Sequence, residues 1–478
     1  MKIKIFLFIF FISLTCQGQL PVYKPVNPEF WKEIESSLKD LNYENMIEIA
    51  IDQYRATKKD SLENAEAKVA IAMALQKKGF NFAATGIQSE VIKAKIGTEV
   101  AALAMSGVEE AVRKFPVDED SLIGEIVVDI EHALLPPATQ DFVNFEQGMF
   151  NMLRGFTKWG EENFKKITLD SYWDFKIKYL TALGEVARDR IDSAIERFSG
   201  IANNQAAPED IKSAAGHQWA RLIFEKGDHA KAYTLFKNVK LNPREKGLIL
   251  IERAWAKYYE KDYSKALGLL AALEAPIFDT SRTPEPYILK MIMYKELCYF
   301  DSVYEVMKEF KQRFQASMTA INKRKDLRKD QMIINISVLD QRIQKWVNLL
   351  NSLKAEYANL NDTGWEDYFF YPIVKKRYEA KIKEVNERLD WILQDKTRET
   401  AEQLIDWQEQ LNFLDYQTRL DSLRINRGGS ELKYSPEEIP HLSFEKIYWT
   451  GTGEFWLDEL EDYKVFIESR CSQSGDDK

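Results

Sequence analysis

Two stretches of the chain repeat one pattern, with Ala254 in the second stretch standing where Ala220 stands in the first. They read Ala220-Arg-Leu-Ile-Phe-Glu-Lys-Gly-Asp-His-Ala-Lys-Ala232 and Ala254-Trp-Ala-Lys-Tyr-Tyr-Glu-Lys-Asp-Tyr-Ser-Lys-Ala266. Each stretch has a small residue in a first predicted helix, then a polar turn, an aromatic residue and a second small residue three positions later. Small residues let neighbouring helices approach closely, and aromatic side chains fill the space between them. The pattern therefore predicts a repeated pair of helices.

The same spacing extends in both directions along the chain. Downstream, the segment that begins at Tyr299 continues the repeated pattern at a slightly longer interval. Upstream, the segment that begins at Ile191 has the same pattern. Thr157 precedes Ile191 by the same interval that separates the two stretches, and Tyr43 precedes Phe80 by a similar one. Intervals of this length are typical of helical-repeat proteins, in which each unit stacks on the next.

A repeat interval of about 34 residues with these residue types resembles the tetratricopeptide repeat (TPR) family. The resemblance runs from about residue 28 to residue 310 and is most specific between residues 214 and 275. It implies an all-α fold whose first domain, residues 19–310, is a TPR-like helical solenoid. The alternative is an irregular α-helical bundle in which amphipathic helices mimic a repeat.

Beyond residue 310 the apolar residues follow a heptad spacing. The first stripe consists of Met332, Ile336, Leu339, Ile343, Trp346, Leu350, Leu353, Tyr357 and Leu360. After a break at Asn361-Asp-Thr-Gly364, a second stripe consists of Tyr378, Ile382, Val385, Leu389 and Ile392, and it resumes out of phase at Leu404, Trp407, Leu411 and Leu414. Sustained heptads predict paired helices. The short break favours a long antiparallel coiled-coil hairpin over residues 311–425, with a parallel intermolecular coiled coil as the alternative.

The two ends of the chain are predicted to lie outside these helices. Residues 1–18 combine a short basic region, an apolar run and small residues before Gln19, which predicts a signal peptide cleaved after Gly18. Acylation of Cys16 is the weaker alternative. We therefore expect an exported, periplasmic protein, with association to the outer membrane left open. Residues 426–478 form an aromatic and acidic tail that we expect to pack on the body.

Composition excludes some classes of partner. The 478 residues are 45% hydrophobic and 29% charged, which is typical of a globular protein. The formal net charge is −9, so nucleic acid is not expected as a partner. After the leader no apolar run is long enough to cross a bilayer, so the mature chain is predicted to have no transmembrane segment. Peripheral contact with a membrane remains compatible with the sequence.

Two cysteines, Cys298 and Cys471, follow the leader. In an oxidising compartment they could form a disulfide that ties the C-terminal tail to the body. The alternative is one buried and one exposed thiol.

No catalytic motif is found in the sequence. The four histidines have no metal-ligand spacing, and neither a phosphate-binding loop nor a Gly-x-Ser-x-Gly elbow is present. Gly451-Thr-Gly453 is interpreted as a turn. Glu35 is the nearest match to the acid of a lytic transglycosylase, but its surroundings are those of an amphipathic helix. We therefore predict a protein that is not an enzyme and that has no cofactor and no metal.

Two groups of residues are predicted to dock partners. The first is a basic cluster between residues 323 and 329 that could bind anionic lipid headgroups or an acidic partner; its alternative is the solvated face of a long helix. The second is aromatic and lies in the tail, where it either packs on the body or presents a hot spot to a partner. Their members are Lys323, Arg324, Lys325, Arg328 and Lys329, and Trp449, Phe455 and Trp456.

These observations favour a non-catalytic scaffold that binds other envelope proteins. The segments Pro284–Tyr294 and Gly453–Leu460 are similar to periplasmic TPR components of bacterial gliding and envelope-assembly machines, which implies a role in motility or trafficking. The alternative is a periplasmic module that binds peptide or glycan fragments, which would need exposed aromatic residues such as Trp255, Tyr258 and Tyr259. The competing interpretation of these three residues, and the favoured one, is that they pack between helices.

Overall fold

A computed structural model describes residues 24–116, 126–127, 135–240, 243–427, 455–456 and 458–471. The predicted signal peptide, Cys16 and Trp449 lie outside these residues. Within them the secondary structure is α-helical, with short 3-10 turns and no strand. The predicted all-α class is therefore confirmed.

The chain divides into two compact units, each built from separate stretches of sequence. The first unit contains the described residues up to 167 together with 356–377, and the second contains 168–355 together with the described residues from 378 onward. The boundary predicted at residue 310 does not coincide with this division. It falls within a helix, Phe300–Asn322, that buries Val303, Phe310 and Phe314 on one face.

In the first unit, seven helices follow one another in the described residues up to 167. They are α1 (Pro28–Lys39), α2 (Tyr43–Ala56), α3 (Leu62–Lys77), α4 (Asn81–Ala94), α5 (Thr98–Lys114), α6 (Pro137–Leu153) and α7 (Thr157–Phe164). Each of these helices packs against the next one along the chain.

In the second unit, eight helices again pack in sequence, and three more follow. The eight are α8 (Tyr172–Ala187), α9 (Ile191–Ala202), α10 (Glu209–Glu225), α11 (His229–Lys237), α12 (Pro243–Tyr259), α13 (Tyr263–Ala272), α14 (Glu285–Glu296) and α15 (Phe300–Asn322). The three are α16 (Gln331–Ser337), α17 (Gln341–Leu360) and α18 (Tyr371–Arg427); the end of α17 and the start of α18 belong to the first unit.

A short turn joins the two members of each helix pair, and each turn has one residue with a positive φ. These residues are Leu41, Gly79, Gly155, Asp189, Gly227, Lys261 and Cys298. An aspartate then begins the second helix in two of the pairs. The Asp228 side chain accepts a hydrogen bond from the backbone N–H of Lys231, and Asp262 accepts one from that of Lys265. N-capping by Asp fixes where a helix starts, so α11 and α13 begin at equivalent positions of the repeat.

The small residues of the repeated pattern lie where the helices cross. Ala220, Ala232, Ala254 and Ala266 are each 0% exposed, which is the burial that the sequence pattern predicts. A methyl group at these crossings lets the helix backbones approach, and larger apolar side chains close the remaining space.

The first predicted heptad stripe does not form one helix. α16 ends at Ser337 and α17 begins at Gln341, because Asp340 accepts hydrogen bonds from the backbone and side chain of Arg342 and starts a new helix. By contrast, α18 is one helix of 57 residues, and it remains helical between Ile392 and Leu404, where the second stripe changes phase. No Gly or Pro interrupts it after Pro372, whose position in the first turn is compatible with a helix.

Within the second unit, α18 runs antiparallel to the helices that precede it. The Ser337 hydroxyl is 2.8 Å from that of Thr400, whereas the Arg419 guanidinium lies over the ring of Tyr304. The order of these contacts is reversed along the two partners, since Ser337 follows Tyr304 whereas Thr400 precedes Arg419. Leu404 and Leu411 of α18 share a core with Phe310, which places α15 in the same packed layer.

Candidate functional site

The C-terminal segment 458–471 lies against α13 and neighbouring helices of the second unit. Its residues alternate, as in a strand: Tyr463, Val465 and Ile467 pack on the core, whereas Phe466 between them is exposed. The backbone N–H of Val465 donates to the carbonyl of Ser264 at 3.0 Å, and the Ser264 hydroxyl donates to the carbonyl of Val465 at 2.7 Å. The segment is thus held by both apolar contacts and backbone hydrogen bonds.

A disulfide fixes the end of this segment. Cys298 and Cys471 are bonded across a sequence separation of 173 residues, as one of the two sequence hypotheses proposed. Next to it the backbone N–H of Arg470 donates to the carbonyl of Leu297 at 3.0 Å, and the Arg470 guanidinium lies over the ring of Tyr299. The disulfide therefore attaches the tail to the turn between α14 and α15.

An ion pair between a buried arginine and a partly exposed glutamate holds the start of the segment. Arg253 is 1% exposed, and its guanidinium donates to the Glu461 carboxylate at 2.7 Å. Burial acts to raise the pKa of Glu461, but the hydrogen bond from Arg253 and the charges of Arg253 and Lys246 outweigh it and lower that pKa below its ordinary value. Lys265 donates to the carbonyl of Glu461 at 2.6 Å, and burial lowers the pKa of this lysine to about 8.

A cavity of about 310 Å³ adjoins this ion pair. Glu461 lies at its edge, and its other charged lining residues are Lys237, Lys240, Lys246 and Arg253. Lys240 also pairs with Glu209 at 3.0 Å, so the four cationic groups are balanced by two carboxylates and an excess of positive charge remains. This excess makes the cavity suitable for an anionic group.

The predicted aromatic residues of the tail occupy different positions. Phe455 packs against the core around Leu460, whereas Trp456 is 37% exposed and donates its backbone N–H to the Tyr463 hydroxyl at 3.1 Å. Trp449 lies outside the described residues. The two described side chains are therefore not brought together as one exposed patch.

The predicted basic cluster lies in the turn between α15 and α16. α15 ends at Asn322, so these residues do not lie on a long helix, although most of them are solvent-exposed as that alternative expected. Arg328 is held by carboxylates: its side chain donates to Asp326, and it contacts both oxygens of Asp390 at 3.1 and 2.9 Å. Lys323, Arg324, Lys325 and Lys329 are exposed.

A second surface, here called the aromatic–carboxylate surface, was not predicted as a unit. It comprises Phe224, His229, Trp255, Tyr258, Tyr259 and Tyr263 with Glu285 and Glu296. The Trp255 indole donates to Glu285 at 2.8 Å, while Tyr258 and Tyr263 donate their hydroxyl groups to the two oxygens of Glu296 at 2.7 Å each. These bonds fix the orientation of three rings.

The pKa values of the two carboxylates of this surface are shifted in opposite directions. Burial raises the pKa of Glu285 although the hydrogen bond from the Trp255 indole opposes the rise, and the nearby charge of Glu252 adds to it. Burial also opposes ionisation of Glu296, but hydrogen bonds from Tyr258 and Tyr263 and the charge of Lys261 outweigh it and lower its pKa. Glu296 is therefore a fixed anion at the margin of the surface.

The exposed part of the surface is an aromatic stack. The rings of His229 and Tyr259 are nearly parallel, with centroids 4.6 Å apart, and Phe224 meets both edge-on. Tyr259 remains 50% exposed. Beside the stack, His217 and Arg221 each contact the carboxylate of Glu252 at 2.6 Å.

Sequence reasoning named Trp255, Tyr258 and Tyr259 but not their carboxylate partners. Those partners lie on other helices: Glu285 is 30 residues from Trp255, and Glu296 is 38 from Tyr258. Both separations are close to the repeat interval, so a search for acidic residues about one repeat away from the aromatic residues could have identified the two glutamates.

Neither a group of metal ligands nor a membrane-spanning helix occurs in the part of the chain that the structure describes. Across the described ranges, no three or more His, Cys, Asp or Glu side chains are grouped to hold a metal ion. Among the helices that the structure describes, none combines the length and apolar character needed to span a bilayer. Compared with known protein families, curated proteins and solved structures, the chain has no match.

Proposed function

We propose that the protein is a non-catalytic scaffold of the cell envelope that binds segments of other envelope proteins. The observation that carries the proposal is the aromatic–carboxylate surface. Rings held by hydrogen bonds, or by stacking on their neighbours as Tyr259 is on His229, lose little conformational entropy on binding. Tyr and Trp are also enriched among the residues that dominate protein interfaces. Tyr259, which is 50% exposed, is the central contact of this surface.

The proposal includes the finer architecture expected from the sequence. The helix pairs form a TPR-like solenoid, and the helices from α15 to α18 form an antiparallel coiled-coil hairpin that offers a second surface. The repeat interval and the capped turns support the first part. The antiparallel contacts of α18 support the second.

We place this scaffold in the periplasm, in a motility or trafficking machine. The apolar leader at residues 1–18 supports export, and the disulfide between Cys298 and Cys471 supports an oxidising compartment. The similarity of Pro284–Tyr294 to components of gliding and envelope-assembly machines supports the choice of machine.

A crosslinked pull-down from the native envelope, followed by mass spectrometry, tests the scaffold. We expect a stoichiometric set of envelope proteins with the wild type, and about tenfold less of that set with Tyr259→Ser, because a central aromatic contact is removed. Tyr416→Ser is the matched control: Tyr416 is 59% exposed on α18 and should retain the partners. A protein without partners, or equal capture by both variants, would contradict the proposal.

The cavity at Arg253 favours a second candidate function, the binding of peptide or glycan fragments. Its lysines would select acidic fragments over neutral ones. Titration calorimetry with acidic and neutral peptides and glycans tests this. Binding of an acidic fragment that Lys240→Gln weakens would support the candidate, and no binding of any fragment would exclude it.

A further inference from the structure

The turn between α6 and α7 in the first unit exposes an unusual group of apolar side chains. Residues 152–159 are all exposed, eight in succession. Met152 is 37% exposed, Leu153 76%, Phe156 50% and Trp159 59%. This group is here called the hairpin tip. Contiguous apolar surface of this kind on a folded protein usually marks an interaction site.

The hairpin tip is held in one conformation by the helices beneath it. Gly155 has a φ of +84°, which lets the chain reverse tightly between α6 and α7. A Cβ on Gly160 would lie 2.6 Å from the Met152 side chain, and one on Gly148 would lie 2.3 Å from the Phe164 ring, so the two helices pack closely through glycine. The rings of Phe156 and Trp159 stack with centroids 5.1 Å apart. The apolar side chains are therefore presented together.

The hairpin tip itself is positively charged. Its only charged residues between 152 and 159 are basic, although the chain carries a net charge of −9. Arg154 and Lys158 lie within the tip itself, and Arg154 is 3.9 Å from the centroid of Phe150. Two acids, Glu161 and Glu162, follow Trp159.

We propose that the hairpin tip binds the surface of an anionic lipid bilayer. Trp, Phe and Leu side chains partition into the interfacial region of a membrane, and Trp favours that depth because its ring has an apolar body and a polar N–H. Lys and Arg beside them contact lipid phosphates. Leu153, Phe156 and Trp159 enter the interface, while Arg154 and Lys158 bind the headgroups.

A lipid surface fits these residues better than a protein pocket does. Eight successive exposed residues form a tight turn at Gly155, and its apolar side chains are open to solvent and line neither of the two described cavities. A bilayer accepts such a turn without a complementary cavity. Binding through few apolar side chains and few charges is expected to be reversible and dependent on salt.

Vesicle flotation with the full chain tests the proposal. We expect binding to phosphatidylcholine vesicles that contain phosphatidylglycerol, and weaker binding to phosphatidylcholine alone. Leu153→Ser with Trp159→Ser should lower the partition coefficient about tenfold or more, because two interfacial side chains are lost. Leu423→Ser with Trp391→Ser is the matched control, since these residues are 52% and 63% exposed in the second unit. All of these proteins share one N-terminus, so a difference in binding between them comes from the substituted residues.

Charge reversal and fluorescence quenching test which side chains of the hairpin tip contact the lipid headgroups and which enter the bilayer interface. Arg154→Glu with Lys158→Glu should abolish the preference for anionic vesicles, whereas Lys323→Glu with Lys325→Glu should preserve it. Trp159→Phe should keep binding but lose most of the quenching by brominated lipid, because Trp159 is the indole at the tip.

Three results would overturn the inference: no binding of the wild type to anionic vesicles, equal binding of the tip and control variants, or loss of binding only on reversal at Lys323 and Lys325. If vesicles are not bound but the tip variant loses a crosslinked protein, the tip docks a protein and the lipid proposal is wrong.

Discussion

At the residue scale, the attachment of the C-terminal segment depends on Arg253. Its guanidinium is buried, and Glu461 is the carboxylate that balances its charge. A buried charge that loses its partner is strongly destabilising, because water cannot replace the lost interaction. The Tyr233 hydroxyl, at 3.3 Å, accepts a hydrogen bond from Arg253 but carries no charge.

We therefore predict that Glu461→Gln lowers the free energy of unfolding of the second unit by about 3 kcal/mol. Glu468→Gln is the control, because Glu468 is an exposed acid of the same segment. Urea denaturation of the two variants measures the difference. Equal midpoints would mean that the ion pair contributes nothing.

A second effect at the residue scale is that Asp340 makes the stability of the fold depend on pH. Hydrogen bonds from Arg342 are the main cause of its lowered pKa, and Lys396, at 3.0 Å, adds to it. A carboxylate whose pKa is lower in the folded state stabilises the fold above its unfolded pKa of about 3.9, and this stabilisation is lost as the pH falls toward the folded pKa.

We expect Asp340→Asn to reduce the free energy of unfolding by about 1 kcal/mol at pH 7, since the pair with Lys396 is partly exposed. The difference between wild type and variant should shrink as the pH falls below about 4. Urea titrations at several pH values measure it. A difference that is the same at every pH would rule out the carboxylate as its cause.

At the element scale, glycine decides how closely the C-terminal segment approaches α13. A Cβ on Gly268 would lie 2.1 Å from the carbonyl oxygen of Tyr463, which is closer than any real contact. A Cβ on Gly200 in α9 would have no atom within 4 Å outside its own stretch of helix. The two glycines therefore make a matched pair, one constrained by packing and one not.

Substituting alanine at each position should give effects of opposite sign. Gly268→Ala should destabilise the protein by about 1–3 kcal/mol, because the segment must shift away from the helix. Gly200→Ala should stabilise it by about 0.5–1 kcal/mol, because alanine is the better helix former. Thermal and urea unfolding measure both, and stabilisation by both variants would show that the segment does not constrain Gly268.

At the scale of the whole molecule, each compact unit is assembled from distant parts of the sequence. In the first unit Trp365 is 2% exposed, donates to Glu44 at 3.0 Å and packs edge-on against Phe80. A residue from the end of α17, Glu356, accepts hydrogen bonds from the backbone N–H groups of Asn81 and Phe82 at 3.0 and 3.1 Å. The segment 356–377 thus completes a core that begins near the start of the chain.

Trp365→Ala should destabilise the first unit by about 3–5 kcal/mol, because it leaves a large cavity beside Phe80. Native-state hydrogen exchange locates the effect, since compact units often open separately. We expect faster exchange in α2–α4 and unchanged exchange in α10–α13. Equal acceleration in both sets would mean that the two units unfold as one.

Much of the fold was predictable because its signals are local. Ala220 and Ala254 lie one repeat apart, and Asp228 and Asp262 cap the helices that follow, so the helix pairs could be inferred from neighbouring residues. The aromatic–carboxylate surface was only half predictable. Its rings were visible as Trp255, Tyr258 and Tyr259, but its carboxylates lie on other helices.

The sequence by itself determined the all-α class, the interval of the helix pairs and the small residues at their crossings, because capping and side-chain periodicity act within a few residues. Only the tertiary structure decided which distant groups meet. Phe80 provides no side-chain cap for α4, and Glu356 caps that helix from 275 residues away. Arg253 and Glu461 pair across 208 residues. Such contacts depend on the path of the folded chain, and no local pattern records that path.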